Sequence, residues 1–520
     1  MITLTIDRQT IQVPPETTVL QAARTAGIEI PTLCYREGFE PSTSCMLCVV
    51  EVEGYSGLMP SCALMVEEGM KVHTDTPAVQ AARRAALELL LSDHIGDCEG
   101  PCRSACPARM DIPRMIRCLA AGQWAQAIKI IKRDIALPAV LGRICPAPCE
   151  KVCRRARQDG PVSICLLKRF AADKDLRSQT PYRPLCKPAS GKKAAIVGAG
   201  PCGLSAAYTL AQQGHQCVIL EKTGAAGGML RADGLRPKLP LEILEQEMGL
   251  IFDLGISFCP NTMLGRDLSL EELCRRVDAV FLAMGEPSGD GPLSLPIQIQ
   301  GGKIVVDRST FQTSMKGVFA GGGAIGSRQM CVKAVADGKE AAWAIHRFLT
   351  QADALGKQEE FHSRLGTLTE EEWQQYIAGA DERRPVEPAN PDDGFMEEEA
   401  MAEAGRCLHC DCGKKKSCKL RRLSTELKAA AGTYKGQRRK YARAYRHPEA
   451  VFESGKCIQC GLCVQALMKN GIQEGLTFQG RGFTMQVSAA LNGPVEEAAG
   501  PAARSCVQVC PTGAWSLKNK

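Results

Sequence analysis

The sequence is poor in aromatic residues, with Phe, Trp and Tyr at 5% of 520 residues, and it has only 7 histidines. So few stacking platforms argue against binding single-stranded nucleic acid, whose bases stack on aromatic rings. No run of 18 apolar residues occurs, so no membrane-spanning helix is expected. The start, Met1-Ile2-Thr3-Leu4-Thr5, lacks a basic stretch followed by an apolar one, and a secretory leader is not expected. The net charge of +7 is small for this length and gives no reason to expect nucleic acid. No activated serine, Cys–His pair or pair of carboxylates stands out, so hydrolytic chemistry is not indicated.

What the chain has in excess is cysteine. There are 27, an odd number. In a reducing compartment they cannot mostly be disulfides. Many stand in tight Cys-x-x-Cys clusters, which points to metal and to a cytoplasmic protein. The 45% hydrophobic content suits a globular chain of about three to five domains.

The fold class expected is multidomain, α+β and α/β. Residues 1–78 read as a small β-rich, ferredoxin-like domain, with a hairpin over Met1–Ile6 and Thr10–Val13 and a short helix over Thr18–Ala26. Residues 79–190 are helical, with apolar periodicity in Val79–Leu91 and Gly122–Ile135. Residues 191–350 switch to α/β alternation. Residues 351–446 begin polar and proline-bearing, as an ordered linker, and go on to four cysteines and a basic run. Residues 447–520 form a small domain with five more cysteines.

Cys34, Cys45, Cys48 and Cys62 follow the spacing C-x10-C-x2-C-x13-C. Three ligands on one long loop and a fourth from a later element suit a 2Fe–2S cluster. A structural zinc site is the alternative. The loop Ser42-Thr43-Ser44-Cys45-Met46-Leu47-Cys48 is short and polar, so its N–H groups can bond cluster sulfurs. Residues 1–95 resemble the N-terminal domain of the iron–sulfur subunit of respiratory complex I and of multi-subunit FeFe-hydrogenases.

Next stand His94, Cys98, Cys102 and Cys106-Pro107, then Cys145-Pro146, Cys149 and Cys153, then Cys165. Seven cysteines and one histidine suffice for two 4Fe–4S clusters. The text around them, Met110-Asp111-Ile112-Pro113, Gly142-Arg143-Ile144-Cys145-Pro146 and Leu167-Lys168-Arg169-Phe170, resembles the helical cluster domain of the small subunit of bacterial glutamate synthase. The same domain occurs in dihydropyrimidine dehydrogenase and in the large subunit of the bifurcating ferredoxin:NADP transhydrogenase. That resemblance implies one ligand set with Cys98, Cys102 and Cys153 and another with Cys106, Cys145 and Cys149. His94 stands nearest to where the family has an upstream cysteine, and Cys165 is the last of the eight ligands, with the set that each completes left open. Cys118 reads as core.

Lys193–Val197 has a buried-strand pattern, Gly198-Ala199-Gly200-Pro201-Cys202-Gly203 follows at once, and Glu221 ends the next strand. This is the full dinucleotide-binding context. Gly198 makes the tight turn, Gly200 lets backbone approach a pyrophosphate, and Gly203 lets the helix pack close to the strand. Glu221 can bond ribose hydroxyls. Gly227-Gly228-Met229-Leu230, Met284-Gly285 and Gly317-Val318-Phe319-Ala320-Gly321-Gly322 resemble the FAD domain of the same family, so FAD is the dinucleotide implied. The family places an aspartate where this chain has Gly323. It also inserts a nicotinamide-binding domain between the segments matching Met284 and Val318, where this chain has only 33 residues. One βαβ unit alone takes about 30 residues, so a second nucleotide domain is not expected.

Cys407, Cys410, Cys412 and Cys418 form C-x2-C-x-C-x5-C, read as a further 4Fe–4S site with a zinc knuckle as its rival. Cys457, Cys460 and Cys463 form a bacterial ferredoxin run, which Cys510, just before Pro511, completes. Between these sites, residues 414–446 hold 13 Lys or Arg and one acid, read either as a solvated helical face or as a docking surface for an acidic partner.

One 2Fe–2S cluster, four 4Fe–4S clusters and FAD make an electron wire. The expectation is an electron-transfer subunit of a multi-subunit NAD(P)-linked, ferredoxin-linked oxidoreductase, of the bifurcating transhydrogenase type. Its partners would be a complex I-like NAD(P)H-binding flavoprotein subunit, a small iron–sulfur subunit and ferredoxin, with no nucleic acid and no membrane. The alternatives are a diaphorase-type subunit of a formate dehydrogenase or FeFe-hydrogenase, and a regulatory iron–sulfur protein.

Overall fold

The computed structural model describes residues 1–286, 295–326, 330–351, 360–434, 436 and 438–518. Parts of the expected nucleotide domain and linker, and Lys435 of the basic run, lie outside the described residues. Two compact units share the chain. One comprises Met1–Glu99, Lys357–Ala380 and Cys410–Lys520, and the other Gly100–Gly356 and Asp381–His409.

The first unit opens with the expected hairpin, β1 (Ile2–Ile6) and β2 (Gln9–Val13). The alternation Ile-Thr-Leu-Thr-Ile turns Leu4 and Ile6 inward, and both are buried. With β3 (Val49–Val52), β4 (Leu58–Pro60) and β5 (Lys71–His73) they form a five-stranded sheet in the order β2-β1-β5-β3-β4, in which only β1 and β5 run parallel. The helix Val19–Thr25 starts where Thr18 and Gln21 close a capping box. The helix Pro77–Ser92 starts on Thr76, with Pro77 at its first position. Its Leu87 and Leu91 join Leu33 and Leu47 and, from far along the chain, Leu420, Leu423, Ile458 and Leu462 in one core.

The second unit has a helical half and a sheet half. The helices Ile112–Ala120, Trp124–Asp134, Pro138–Ile144 and Ile164–Leu176 enclose Met115, Ile116, Ile128, Ile131, Leu141 and Leu167. Cys118 sits in this core, as expected. The sheet is fully parallel, built from β6 (Lys193–Val197), β7 (Gln216–Leu220), β8 (Ser257–Cys259) and β9 (Ala279–Leu282). Among the described residues, the stretch after β9 contributes only the short antiparallel pair β10 (Ile299–Gln300) and β11 (Lys303–Ile304) before β12 (Val318–Ala320). β12 pairs with β9, so the sheet order is β12-β9-β6-β7-β8. The helices Pro201–Gln212 and Cys331–Thr350 cross closely at Gly338, where a Cβ would come within 2.1 Å of the Cys202 carbonyl oxygen.

The chain then returns to the first unit. β13 (Arg443–Ala444), β14 (Ala450–Glu453) and β17 (Trp515–Leu517) form a three-stranded antiparallel sheet, and β15 (Leu476–Gln479) pairs with β16 (Gln486–Ala489). Among the described residues of the basic run, only Lys419–Glu426 forms a helix. Several of its charges are engaged internally. Arg421 binds Glu360 at 2.5 Å and lies 3.9 Å from Glu99. Arg439 pairs with Asp93. Arg438 grips both oxygens of Glu372, at 2.5 and 2.7 Å, and holds that carboxyl down to about 2. Neither a uniformly solvated face nor a uniformly free docking patch describes this segment.

Candidate metal and dinucleotide centres

Cys34, Cys45, Cys48 and Cys62 are buried together in the first unit. The Cys34 and Cys45 sulfurs lie 3.3 Å apart. Hydrogen bonding from Cys45, Ser42 and Ser44 holds the Cys34 thiol down to about 5, and bonding from Cys62 holds Cys48 at about 7. Their partners Cys45 and Cys62 are pushed up in turn by the same hydrogen bonds and by burial, so metal must supply the thiolate state of those two. The residues fit a two-iron cluster.

Cys457, Cys460, Cys463 and Cys510 line one pocket, with Val487, Thr512 and Trp515 beside them. Cys506 does not line it. Burial pushes the Cys457 thiol up to about 11, so coordination to metal must supply the thiolate state. The Gln459 N–H reaches Cys457 Sγ at 3.3 Å. This pocket fits a cubane cluster, and the Cys34 loop lies against it. Ser42 Oγ donates to the Cys460 carbonyl at 3.1 Å, and Glu40 exchanges hydrogen bonds with Gln465 at 2.9 and 3.1 Å.

In the second unit the free thiols of Cys145 and Cys165 are hydrogen-bonded to each other, and Cys165 is hydrogen-bonded to Cys149 as well. Lys168, buried, lies beside Cys165 with its Nζ 3.9 Å from that sulfur. Burial opposes the lysine's charge, but Cys165, Cys145, Cys149 and Cys106 together raise its pKa. The structure thus brings Cys106, Cys145, Cys149 and Cys165 around one cation. Lys168 was not singled out from sequence, because an isolated lysine on a helix carries no spacing signal. A buried positive charge favours the reduced, more negative cluster. Lys168→Met is therefore expected to lower one cluster's midpoint potential. A unit charge about 6 Å away at an effective dielectric of about 20 is worth roughly 3 kcal/mol, or about 100 mV for one electron. Redox titration followed by EPR checks this, and unchanged potentials would remove Lys168 from the site.

Cys102, Cys153 and Cys407 flank one helical core of the second unit. Arg155 binds Asp159 at 2.6 and 2.7 Å and donates to the Arg406 carbonyl at 3.2 Å. Arg406, fully buried, donates to Asp159 at 3.0 Å and to Glu403 at 2.8 Å. The Arg155 side chain, two residues after Cys153, thereby holds the backbone beside Cys407. In the first unit, Cys412 is buried and Cys418 accepts from the Arg421 N–H at 3.5 Å at the start of its helix. Cys410 lies in the surroundings of the buried Tyr441. The Cys98 sulfur is 3.3 Å from Ser363 Oγ, another residue that sequence spacing could not flag. The His94 Nδ1 is buried with no hydrogen-bond partner. Burial, then Lys456 and Arg439, push its pKa down to about 4, so the ring is neutral and able to ligate metal.

The dinucleotide turn is as the sequence implies. Gly198 has φ +107, and a Cβ there would meet the Ala283 carbonyl oxygen at 2.4 Å. At Gly203 a Cβ would meet the Gly198 carbonyl oxygen at 2.0 Å, whereas at Gly200 it meets nothing within 4 Å. That open side lies at the N-terminus of the helix Pro201–Gln212, where free N–H groups favour phosphate. Glu221, buried, accepts from the Ala199 N–H at 2.8 Å and the Thr223 N–H at 3.0 Å, and its remaining lone pairs can face a ribose. Gly227 donates to the Ala199 carbonyl at 2.9 Å, and Gly228 packs on Gly200, so the second glycine turn closes on the first. Met229 is exposed beside them. Gly323 explains its departure from the family aspartate, since a Cβ there would meet the Glu286 nitrogen at 2.7 Å and the Gly285 carbonyl carbon at 2.9 Å. An acid does reach this corner from another element: Asp337 accepts from the Gly322 N–H at 3.2 Å.

Residues 1–77 match the 2Fe–2S iron–sulfur cluster binding domain family, residues 68–180 match dihydropyrimidine dehydrogenase domain II with its 4Fe–4S cluster, and residues 196–256 match an NAD(P)-binding Rossmann-like domain. The chain is 43% identical over 190 residues to NADPH-Fe(3+) oxidoreductase subunit beta of Geobacter sulfurreducens, covering 36% of this chain and 28% of that protein. It is 40% identical over 206 residues to NADP(+)-dependent formate dehydrogenase subunit beta of Moorella thermoacetica, covering 36% and 29%. It is 37% identical over 182 residues to the glutamate synthase (NADPH) small chain of Bacillus subtilis, covering 35% and 37%. The chain thus spans well under half the length of each of these relatives. The chain is thus similar in part to iron–sulfur oxidoreductase subunits of these kinds, and it carries matches to a 2Fe–2S, a 4Fe–4S and a Rossmann-like domain in that order.

Proposed function

We propose that the chain is the FAD- and iron–sulfur-bearing electron-transfer subunit of a multi-subunit NAD(P)-linked oxidoreductase. The observation that carries this reading is one dinucleotide turn in a chain with five cysteine sets, with only the β10–β11 pair, among the described residues, where a nicotinamide domain would go. A bound flavin takes up two electrons and passes them on singly, and iron–sulfur clusters carry single electrons. This chain's own residues would hold those groups. Gly198, Gly200, Gly203, Glu221, Gly227, Gly228, Met229, Gly285, Gly322 and Gly323 would cradle FAD. The cysteine sets would hold one two-iron and four four-iron clusters. Contact between the Cys34 loop and the Cys460 loop supports electron passage between their clusters.

The nucleotide would bind a complex I-like flavoprotein partner, with a small iron–sulfur subunit between them. Ferredoxin is the proposed one-electron partner, with bifurcation as the finer form of the reading. A cytoplasmic location goes with it, because a reducing compartment preserves thiolate ligands. Among the described residues no helix is long and apolar enough to cross a membrane. The similarity to a formate dehydrogenase beta subunit favours a second reading, in which the complex feeds or drains a formate dehydrogenase.

Composition tests the proposal directly. Anaerobically purified chain is expected to carry about 18 iron atoms and, on acid release, about one FAD. Zinc at about one per chain, or NAD in place of FAD, counts against it.

A further inference from the structure

The family resemblance groups Cys98 with Cys102 and Cys153, and sequence spacing groups Cys412 and Cys418 with Cys407 and Cys410. Within the first unit the packing groups them otherwise. The Cys412 N–H donates to the Cys98 carbonyl at 3.4 Å. The Ile95 N–H, in the turn between His94 and Cys98, donates to the Gly455 carbonyl at 2.7 Å. The Lys456 stem then runs past both partners. A Cβ on Gly96 would meet Lys456 Cε at 2.6 Å, and a Cβ on Gly513 would meet Cys412 Sγ at 2.2 Å and Lys456 Cδ at 3.6 Å. Two glycines are thus needed to seat the His94–Cys98 turn, the lysine stem and Cys412 side by side.

We propose that His94, Cys98, Cys412 and Cys418 together hold one four-iron cluster, with three thiolates and one imidazole drawn from two distant stretches of chain. The thiols of Cys412 and Cys418 lie within each other's field and that of Cys98. Cys98 is steered by Ser363, whose Oγ and N–H lie 3.3 and 3.4 Å from its sulfur. His94 offers a buried Nδ1 with no other partner, and the charges of Lys456 and Glu453 act on its ring and on Cys412 alike. This grouping releases Cys407 to Cys102 and Cys153; the Arg155 side chain, two residues after Cys153, already donates to the carbonyl of Arg406, next to Cys407. It rests on the iron–sulfur reading above and adds to it which ligands share a cluster.

Pairwise loss of iron in the full-length, anaerobically purified chain tests the grouping. Cys98→Ala and Cys412→Ala should each lose about four irons and the same EPR signal of the reduced protein. The double variant should lose no more than either single one. Cys98→Ala combined with Cys153→Ala should lose about eight irons and two signals. The opposite pattern, additive with Cys412 and non-additive with Cys153, overturns the proposal. Should the alanine variants fail to fold, His94→Cys keeps the site filled. It should retain iron and lower the midpoint potential of the one signal that Cys418→Ser also perturbs, because a fourth thiolate makes the cluster more negative. Unchanged signals and potentials in His94→Cys overturn the assignment of the imidazole, with Cys410 then the fourth ligand. Zinc in place of iron in the unmutated chain would instead defeat the underlying reading, a result visible before any variant is made.

Discussion

Mixed anaerobically with NADPH or NADH, the isolated chain is expected to show no rapid bleaching of flavin or clusters. A hydride moves only when the nicotinamide is held against the flavin ring. Holding it needs a phosphate-binding turn and a ribose partner. The complete turn found here, Gly198 to Gly203 with Glu221, is the one assigned to FAD. Between β9 and β12 the described residues offer two short strands and no βαβ unit. Adding the nucleotide-binding partner should raise the reduction rate at least ~100-fold, since orientation alone is worth several kcal/mol. Stopped-flow absorbance with and without the partner measures this. Fast stoichiometric reduction of the chain alone would make it a self-contained reductase, and the multi-subunit proposal would fall.

Gly203→Ala should abolish flavin binding while leaving the 2Fe–2S signal in place. The added methyl would sit 2.0 Å from the Gly198 carbonyl oxygen and 3.1 Å from Ile196 Cγ2. The first neighbour is backbone and cannot swing away, so the helix Pro201–Gln212 must lift off β6. Overpacking of this kind costs about 1–3 kcal/mol or more. It also moves the helix N-terminus from where phosphate would lie. Flavin content should fall at least ~10-fold. The Cys34 set belongs to the other compact unit and should keep its iron. Gly200→Ala is the control for steric logic: its Cβ meets no protein atom within 4 Å, so the fold should persist and only affinity should drop. Full flavin loading in Gly203→Ala would show that the turn is not the binding site.

Local patterns read well because their information is local. Thr18 and Gln21 announce a helix start, Leu4 and Ile6 a buried strand face, and Gly198 to Gly203 a phosphate turn, each through neighbours a few residues away. Cys457 to Cys463 reads well for the same reason, and Cys510 completes their pocket because Pro511 marks it. What spacing could not reveal are partners brought by tertiary packing. Lys168 looks like any helical lysine until four cysteines surround it. Ser363 and Asp337 gain meaning only beside Cys98 and Gly322. The basic run shows its charge in sequence, but not that Asp93, Glu360 and Glu372 answer it from other segments. Gly323 departs from the family aspartate for a reason visible only in the packing at Glu286.

The discontinuous make-up of the first unit bears on how the protein is made in the cell. During translation, the strands β1 to β5 can collapse early, because Leu4, Ile6, Leu20 and Val72 close a core of their own. The neighbouring face, with Leu33, Leu47, Leu87 and Leu91, cannot close until Leu420, Leu423, Ile458 and Leu462 have left the ribosome. At about 5–20 residues per second that wait is tens of seconds. A sticky leucine surface and an unfinished set of thiols are exposed throughout. Nascent chains stalled before residue 410 should therefore be strong chaperone clients. The four-iron set of Cys457, Cys460, Cys463 and Cys510 can thus load only late, whereas the Cys34, Cys45, Cys48 and Cys62 set is on hand early.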